Sequence, residues 1–199
     1  NDLLISGDKV IGIEAVLSGT LNYIFSSYKK GDRFSDVVKQ AKEKGYTEPD
    51  PRDDLNGMDV ARKILILSRE AGLAMELEDV IVEDLVPEDC RGEMTVESFF
   101  KKLETHNNFY EKLLAEADSN NEKLRYMAVL ENGKTKIRLG SVNSQHPFYS
   151  LSGSDNIILL TTERYHERPM VIRGPGAGAE VTAAGVFADV IRIGNYVNV

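Results

Sequence analysis

Cysteine occurs once in this chain, as Cys90. One thiol can form neither an intrachain disulfide framework nor a paired-cysteine zinc motif, and its rarity points to a reducing cytosol, with Cys90 a bystander. Histidine is also scarce: His106, His146 and His166 are scattered without ligand spacing, which argues against a zinc centre and leaves them surface or capping roles. Positive charge is in deficit, with 24 Lys and Arg against 32 Asp and Glu and a net charge of -8. That sign is wrong for a protein that neutralises a phosphate backbone, so nucleic acid is not an expected partner. No stretch approaches the roughly 18 uninterrupted apolar residues of a membrane-spanning helix, so a membrane is not expected either. The opening NDLLISGDKV has no methionine and no charged-then-apolar signal pattern, and reads as a piece excised from a longer chain.

What is present is an ordinary globular composition, 42% apolar and 28% charged over 199 residues. That length fits one domain, or a domain with a small appendage, able to bury about 70% of its unfolded surface. Residues 10 to 17 alternate as a largely buried strand that stops at Ser18 and Gly19. From Thr20 the period becomes helical through Leu21, Ile24, Phe25 and Tyr28, with Gly31 as terminator. A second helix is expected from Ser35 as N-cap to Gly45, and the longest from about Asp54 to Ala71, with Val60, Ile64, Leu67 and Ala71 on one stripe and Gly72 after it. A strand is expected over residues 80 to 86, then helical patches over Val96 to Leu103 and Phe109 to Ala117, the latter started by Asn108 with Glu111 three residues on. Asn132-Gly133 between LRYMAVLE and KTKIRLGSV is the strongest short hairpin signal a sequence offers. NIILLTT and PMVIRG read as further strands, followed by the glycine-rich GPGAGAE and the amphipathic VTAAGVFADVIRI. This mixture predicts an α+β fold, a mixed or antiparallel sheet with helices mainly on one face.

The stretch GYTEPDPRDDLNGMDVARK, Gly45 to Lys63, carries the densest chemistry. Runs of charge are usually solvated faces. Here Glu48 and Asp50 flank Pro49, and Pro51 follows, so a stiff, extended segment displays both acids. Asp54, Asn56 and Gly57 fit the middle of a calcium loop counted from position 52, but Arg52 and Lys63 then occupy its first and last ligand positions and would repel the ion. A third reading rests on Asp59 and Lys63, four apart at the border of the apolar stripe. As a plain surface pair they contribute roughly 0.3 to 0.5 kcal/mol. A lysine beside acids that hold an ammonium group is also a proton-transfer site. Spacing alone leaves the solvated face and the proton-transfer site open. Arg52, Asp53 and Arg62 are expected to form salt bridges fixing this loop to the helix.

The stretch resembles the signature of homoserine dehydrogenases: Ala41, Gly45, Tyr46, Thr47, Glu48, Pro49, Asp50, Pro51, Asp54, Leu55, Gly57, Asp59 and Lys63 match it in order. LSGTLNYIF, from Leu17 to Phe25, is similar to the start of that family's catalytic region. GPGAGAEVTAAGVFADVIRI is similar to its C-terminal return to the nucleotide domain. HPFYSLSGSDNIILLTTERY is closer to the bifunctional members that carry an aspartate kinase in front. The resemblance implies NAD(P)H-linked interconversion of aspartate 4-semialdehyde and homoserine, in the biosynthesis of threonine and methionine. It implies that Glu48 and Asp59 bind the amino acid, that Lys63 transfers the proton at the substrate oxygen, that Asp54 and Thr20 lie near the substrate, and that Gly45 and Gly178 approach the cofactor.

The same resemblance divides the chain into a catalytic, substrate-binding and dimerisation part, residues 1 to 173, and a glycine-rich turn with C-terminal helix, residues 174 to 199, that returns to an N-terminal dinucleotide-binding domain. Gly174, Gly176 and Gly178 are the only run comparable to a dinucleotide fingerprint, and the 21 residues beyond them are too few for a whole unit. The chain is therefore expected to lack the main cofactor-binding half and to be inactive alone. No metal is expected, since the family's metal loop is placed upstream. The resemblance also implies a homodimer, and a cytoplasmic location or an organelle stroma in a plant. Ser152 to Asn156 reads as a turn. A contrasting expectation is a non-catalytic dimerisation or regulatory module derived from such an enzyme.

Overall fold

The computed structural model describes residues 2 to 197. Its centre is one six-stranded mixed sheet, ordered β2-β4-β3-β1-β5-β6. The strands are β1 (Val10–Val16), β2 (Ile81–Val82), β3 (Lys123–Glu131), β4 (Lys134–Val142), β5 (Asp155–Thr162) and β6 (Met170–Pro175). Only the β2 to β4 pairing is parallel; the others are antiparallel. The helices are α1 (Asp2–Ile5), α2 (Gly19–Ser27), α3 (Phe34–Glu43), α4 (Arg52–Leu55), α5 (Met58–Glu70), α6 (Val96–Leu103), α7 (Asn107–Ser119) and α8 (Ala179–Val197). The α+β class expected from the sequence is what the chain adopts, with α2, α5 and α7 packed on β3.

The hairpin forms as its turn residues require. Glu131 pairs with Lys134, and Asn132 and Gly133 take φ of 51° and 71°, the left-handed pair of a type I′ turn. The main core lies between the helices and the sheet face carrying Ile13, Ala15, Tyr126, Ala128 and Ile137. A smaller core on the second face gathers Val16, Met127 and Ile157 under Phe148 and Leu151. Arg125 fastens this segment. Only 2% exposed, its guanidinium donates to the carbonyls of Phe148, Leu124, Tyr149 and Leu151 at 2.9, 2.7, 3.2 and 2.8 Å.

Four local expectations are corrected. The long helix does not start at Asp54: α4 ends at Leu55 and α5 begins at Met58, because Gly57 between them takes φ of 73°. A Cβ there would stand 2.1 Å from the Tyr126 hydroxyl, so the helix turns where the chain passes that ring. Ser35 does not cap α3, which starts one residue earlier after Arg33; it is buried, and its N–H and hydroxyl meet the side chain of Asn107 at 2.9 and 3.0 Å. Asn108 caps nothing either, since α7 starts at Asn107 after His106 with no side-chain cap. The strand expected over residues 80 to 86 shrinks to Ile81 and Val82; Leu85 and Val86 are buried in a loop whose Leu85 N–H goes to the Leu55 carbonyl at 3.0 Å.

Two of the three helix ends read at glycine hold, whereas α2 ends at Ser27 with Tyr28 extended after it, short of the expected stop at Gly31. After α3, Gly45 (φ 75°) and Tyr46 donate to the carbonyls of Lys42 and Ala41 at 2.9 and 3.0 Å, the paired bonds of a Schellman motif. Gly72 and Leu73 close α5 in the same way on Arg69 and Ser68. The contrast is α8: it buries none of its residues, and Phe187, Val186 and Ile193 are more than three-fifths exposed. Among the described residues no helix is long and apolar enough to cross a membrane.

Candidate active site

The carboxyl end of β1, the start of α2, the loop from Gly45 to Asp54, the first turns of α5 and the segment after β6 surround one polar hollow of about 780 Å³. Every site residue singled out in the sequence lines it: Thr20, Gly45, Glu48, Asp54, Asp59, Lys63 and Gly178. The stiff loop is held at several points. The Thr20 hydroxyl donates to the Tyr46 carbonyl at 2.5 Å, and the Tyr46 ring stacks on Tyr23 with centroids 4.4 Å apart. The Glu48 N–H donates to Asp54 Oδ2 at 2.9 Å, and the Lys42 ammonium reaches the Pro49 carbonyl. Glu48 is thereby displayed with its backbone fixed and its side chain exposed.

Asp50 faces elsewhere. Its carboxylate pairs with Arg52 at 2.6 Å, and Arg52 also donates to the carbonyls of Gly92 and Met94 at 2.8 and 2.9 Å, tying the loop to the segment before α6. The Arg52 guanidinium holds the Asp50 carboxyl below its ordinary range. Asp54 moves the other way: burial pushes its carboxyl up, with the charges of Glu48 and Asp53 adding to that and the Glu48 N–H opposing it. Arg52 fulfils its expected bridging role, but Asp53 and Arg62 do not join it; both line the hollow instead. The hollow thus gathers four carboxylates, Glu48, Asp53, Asp54 and Asp59, around two cations, Arg62 and Lys63.

Lys63 sits at the centre of this set. Its ammonium lies 2.6 Å from Asp59 Oδ2 and donates to the Leu17 carbonyl at 3.0 Å. Its side chain is 39% exposed. The expected i,i+4 pair is therefore real, and a second contact, just after β1, sets the direction of the amine. A half-exposed ammonium with two fixed partners and one open side can deliver a proton to an oxygen placed in the hollow.

The spacing argument overlooked residues supplied by the far end of the chain. Ser154 and Asn156 form part of the wall, so the turn read at Ser152 to Asn156 is a turn over Gly153 and Ser154 that also floors the site. The Asn22 amide pins it by donating to the carbonyls of Gly153 and Asp155 at 3.1 and 3.0 Å. A second, mainly apolar hollow of about 530 Å³ adjoins the first and shares Lys63, Asn156, Pro175 and Gly176 with it.

Away from the hollow, Asp89, Cys90 and His106 bring ligand-capable atoms within 4.8 Å of one another. Linear spacing did not foretell this. Burial pushes the Cys90 thiol up to about 11, which disfavours the thiolate a metal would need. His146 does cap, accepting from the Phe148 N–H at 3.2 Å, and it lies 3.3 Å from Glu14.

For a dinucleotide, the chain offers backbone. Gly45 and Gly178 line the polar hollow, and a Cβ built on either would meet nothing within 4 Å, so a ligand can approach both closely. The run Gly174, Gly176 and Gly178 links β6 to α8, a strand-to-helix turn with amides free at the helix start. No strand follows α8 among the described residues.

An α+β domain with a carboxylate-lined hollow, into which a lysine on a helix projects its amine, is the class that the fold and site define. The homoserine dehydrogenase family profile matches residues 2 to 191, and the chain belongs to that family. It is 49% identical over 196 residues to bifunctional aspartokinase/homoserine dehydrogenase 2, chloroplastic, of Zea mays, covering 98% of this chain and 21% of that protein. It is 47% identical to the homoserine dehydrogenase of Schizosaccharomyces pombe, covering 96% of this chain and 53% of that one. A crystal structure of a Candida auris protein of unknown function superposes with a TM-score of 0.93 at 45% identity, over 98% of this chain and 56% of the other. The chain thus spans about a fifth to a half of the proteins it matches.

Proposed function

We propose that the intact protein containing this chain interconverts L-homoserine and L-aspartate 4-semialdehyde with NAD(P) as cofactor, in the formation of threonine and methionine. The observation that carries this reading is the convergence of Glu48, Asp59 and Lys63 on one open hollow. The cofactor, when bound, carries the hydride. Hydride addition to the aldehyde leaves an alkoxide, and Lys63, held by Asp59 and the Leu17 carbonyl, stabilises that charge and hands over its proton. In the reverse direction the neutral amine takes the proton from the homoserine hydroxyl. Glu48 and Asp59 attract the ammonium end of the amino acid, while Asp54 and Thr20 fix the loop that carries Glu48. Gly45 and Gly178 give the cofactor close backbone approach.

Residues 174 to 199 return, in this reading, toward a nucleotide-binding domain, which supports an apolar role for the exposed side of α8. A homodimer through the second face of the sheet is supported by its partial cover: Phe148 and Leu151 shield one end, and Val171 on β6 is 49% exposed. Cofactor binding and catalysis need the whole protein, so the chain alone is inactive. A single buried cysteine suits a reducing compartment, either the cytoplasm or an organelle stroma. A purely dimerising or regulatory role leaves the acids around Lys63 without a use.

The test is steady-state kinetics of the intact protein with Glu48→Ala. KM for homoserine should rise well above any change in KM for the nucleotide. Equal rises in both would count against Glu48 as the ammonium partner.

A further inference from the structure

Asn156, at the start of β5, contacts the same oxygen as the lysine. Its Nδ2 donates to the Leu17 carbonyl at 3.2 Å, and Lys63 Nζ donates to that carbonyl at 3.0 Å. Both lone pairs of one carbonyl are therefore used, one by the ammonium and one by the amide. The orientation of the amide follows from chemistry: Leu17 O only accepts, so the NH2 group must face it. The consequence is an Oδ1 atom that is buried and has no hydrogen-bond partner. A buried acceptor left empty is costly, so the side chain's gain lies at its other end, the amide held on the Leu17 carbonyl.

A second observation bears on the same group. Gly176, in the segment after β6, packs so tightly on Asn156 that a Cβ there would lie 2.0 Å from Nδ2 and 2.6 Å from Cγ. Any side chain at 176 would push the amide off the Leu17 carbonyl. One continuous path of contact thus runs from Gly176 through Asn156 and Leu17 O to the amine of Lys63.

We infer that Asn156 is the positioning residue for Lys63, with Gly176 as the backstop that keeps its amide on the shared carbonyl. This rests on the proton-transfer role of Lys63 proposed above. Asn156 fixes the carbonyl, the carbonyl fixes one of the two anchors of the ammonium, and the ammonium must stand within hydrogen-bond reach of the substrate oxygen.

The experiment uses the intact protein and homoserine oxidation. Asn156→Leu keeps the branched shape of the side chain and removes the donor. It should lower kcat by about 10-fold to 100-fold, the scale of a misplaced reacting group, with KM for homoserine changed by no more than about twofold. Asn156→Asp is nearly isosteric and puts an anion beside the ammonium, favouring its charged form. The limb of the pH–kcat profile that requires neutral lysine should move to higher pH, an effect that loss of packing alone does not produce. Gly176→Ala should lower kcat as Asn156→Leu does, and the double variant should be no worse than the poorer single one. Wild-type kcat in Asn156→Leu, an unmoved profile in Asn156→Asp, or additive losses in the double variant would each overturn the inference. If Asn156→Leu does not fold, the profile of Asn156→Asp decides. Lys63→Met separates this inference from its premise: full activity there removes the premise, whereas lost activity there beside intact Asn156 variants removes only the positioning role.

Discussion

Arg125 and Lys63 both donate to backbone carbonyls, one beneath the sheet and one at the rim of the hollow. Arg125 is 2% exposed, meets four carbonyls and no carboxylate, and burial draws its guanidinium down to about 10. Lys63 is 39% exposed, meets one carbonyl and one carboxylate, and keeps a side open to a space of about 780 Å³. The difference lies in what remains free. Arg125 has spent nearly all its donors on the chain and can only hold the Pro147–Ser150 segment to the sheet; Lys63 has spent two and can still reach a ligand.

Substitutions at the two cations should therefore separate activity from stability. Lys63→Met in the intact protein should lower kcat by about 10²-fold to 10⁴-fold, the range for a positioned acid-base group, with the melting temperature nearly unchanged. Turnover close to wild type would place the proton transfer elsewhere. Arg125→Met keeps the length of the stem but strands buried carbonyls, at a cost of about 3 kcal/mol, or roughly 6 to 12 °C in Tm for a domain of this size. Activity per folded molecule should survive, and a loss of kcat at unchanged stability would blur the distinction between scaffold and site.

A smaller effect sharpens the comparison within the acidic loop. Asp50, lowered by Arg52, contributes stability that is complete above the ordinary carboxylate pKa and is lost as pH falls through its depressed folded value. Asp50→Asn should cost on the order of 1 kcal/mol near pH 7, and that cost should shrink as pH falls through the depressed folded value. Asp54, raised by burial, is destabilising once ionised: its penalty is absent in acid, grows as pH rises through the ordinary value to the raised one, and is constant above. Asp54→Asn should therefore leave stability unchanged in acid and raise it slightly near pH 7. Chemical denaturation of both variants across pH reads the two signs, and parallel curves would show that the loop does not divide its acids in this way.

Much of this site was legible because its chemistry is local. The acids and the lysine fall within nineteen residues, and the prolines and glycines that stiffen and end the loop carry their conformations with them. The hairpin was legible for the same reason, since Asn132-Gly133 fixes its own turn. What escaped the sequence depends on distant partners. Helix periodicity ran on through Gly57 because nothing nearby in the chain announces the Tyr126 ring. Ser35 looked like a cap, but Asn107, far along the chain, takes its hydrogen bonds. Asn156 lies 139 positions from the carbonyl it holds, and within its own stretch it reads only as part of a turn.

The most direct test is a structure of the intact protein with homoserine bound. The account predicts the substrate hydroxyl within about 2.6 to 3.2 Å of Lys63 Nζ, the reach of a proton-transferring group, and the ammonium against Glu48. Homoserine bound in another cavity, or in this one with its hydroxyl turned away from Lys63, would contradict it.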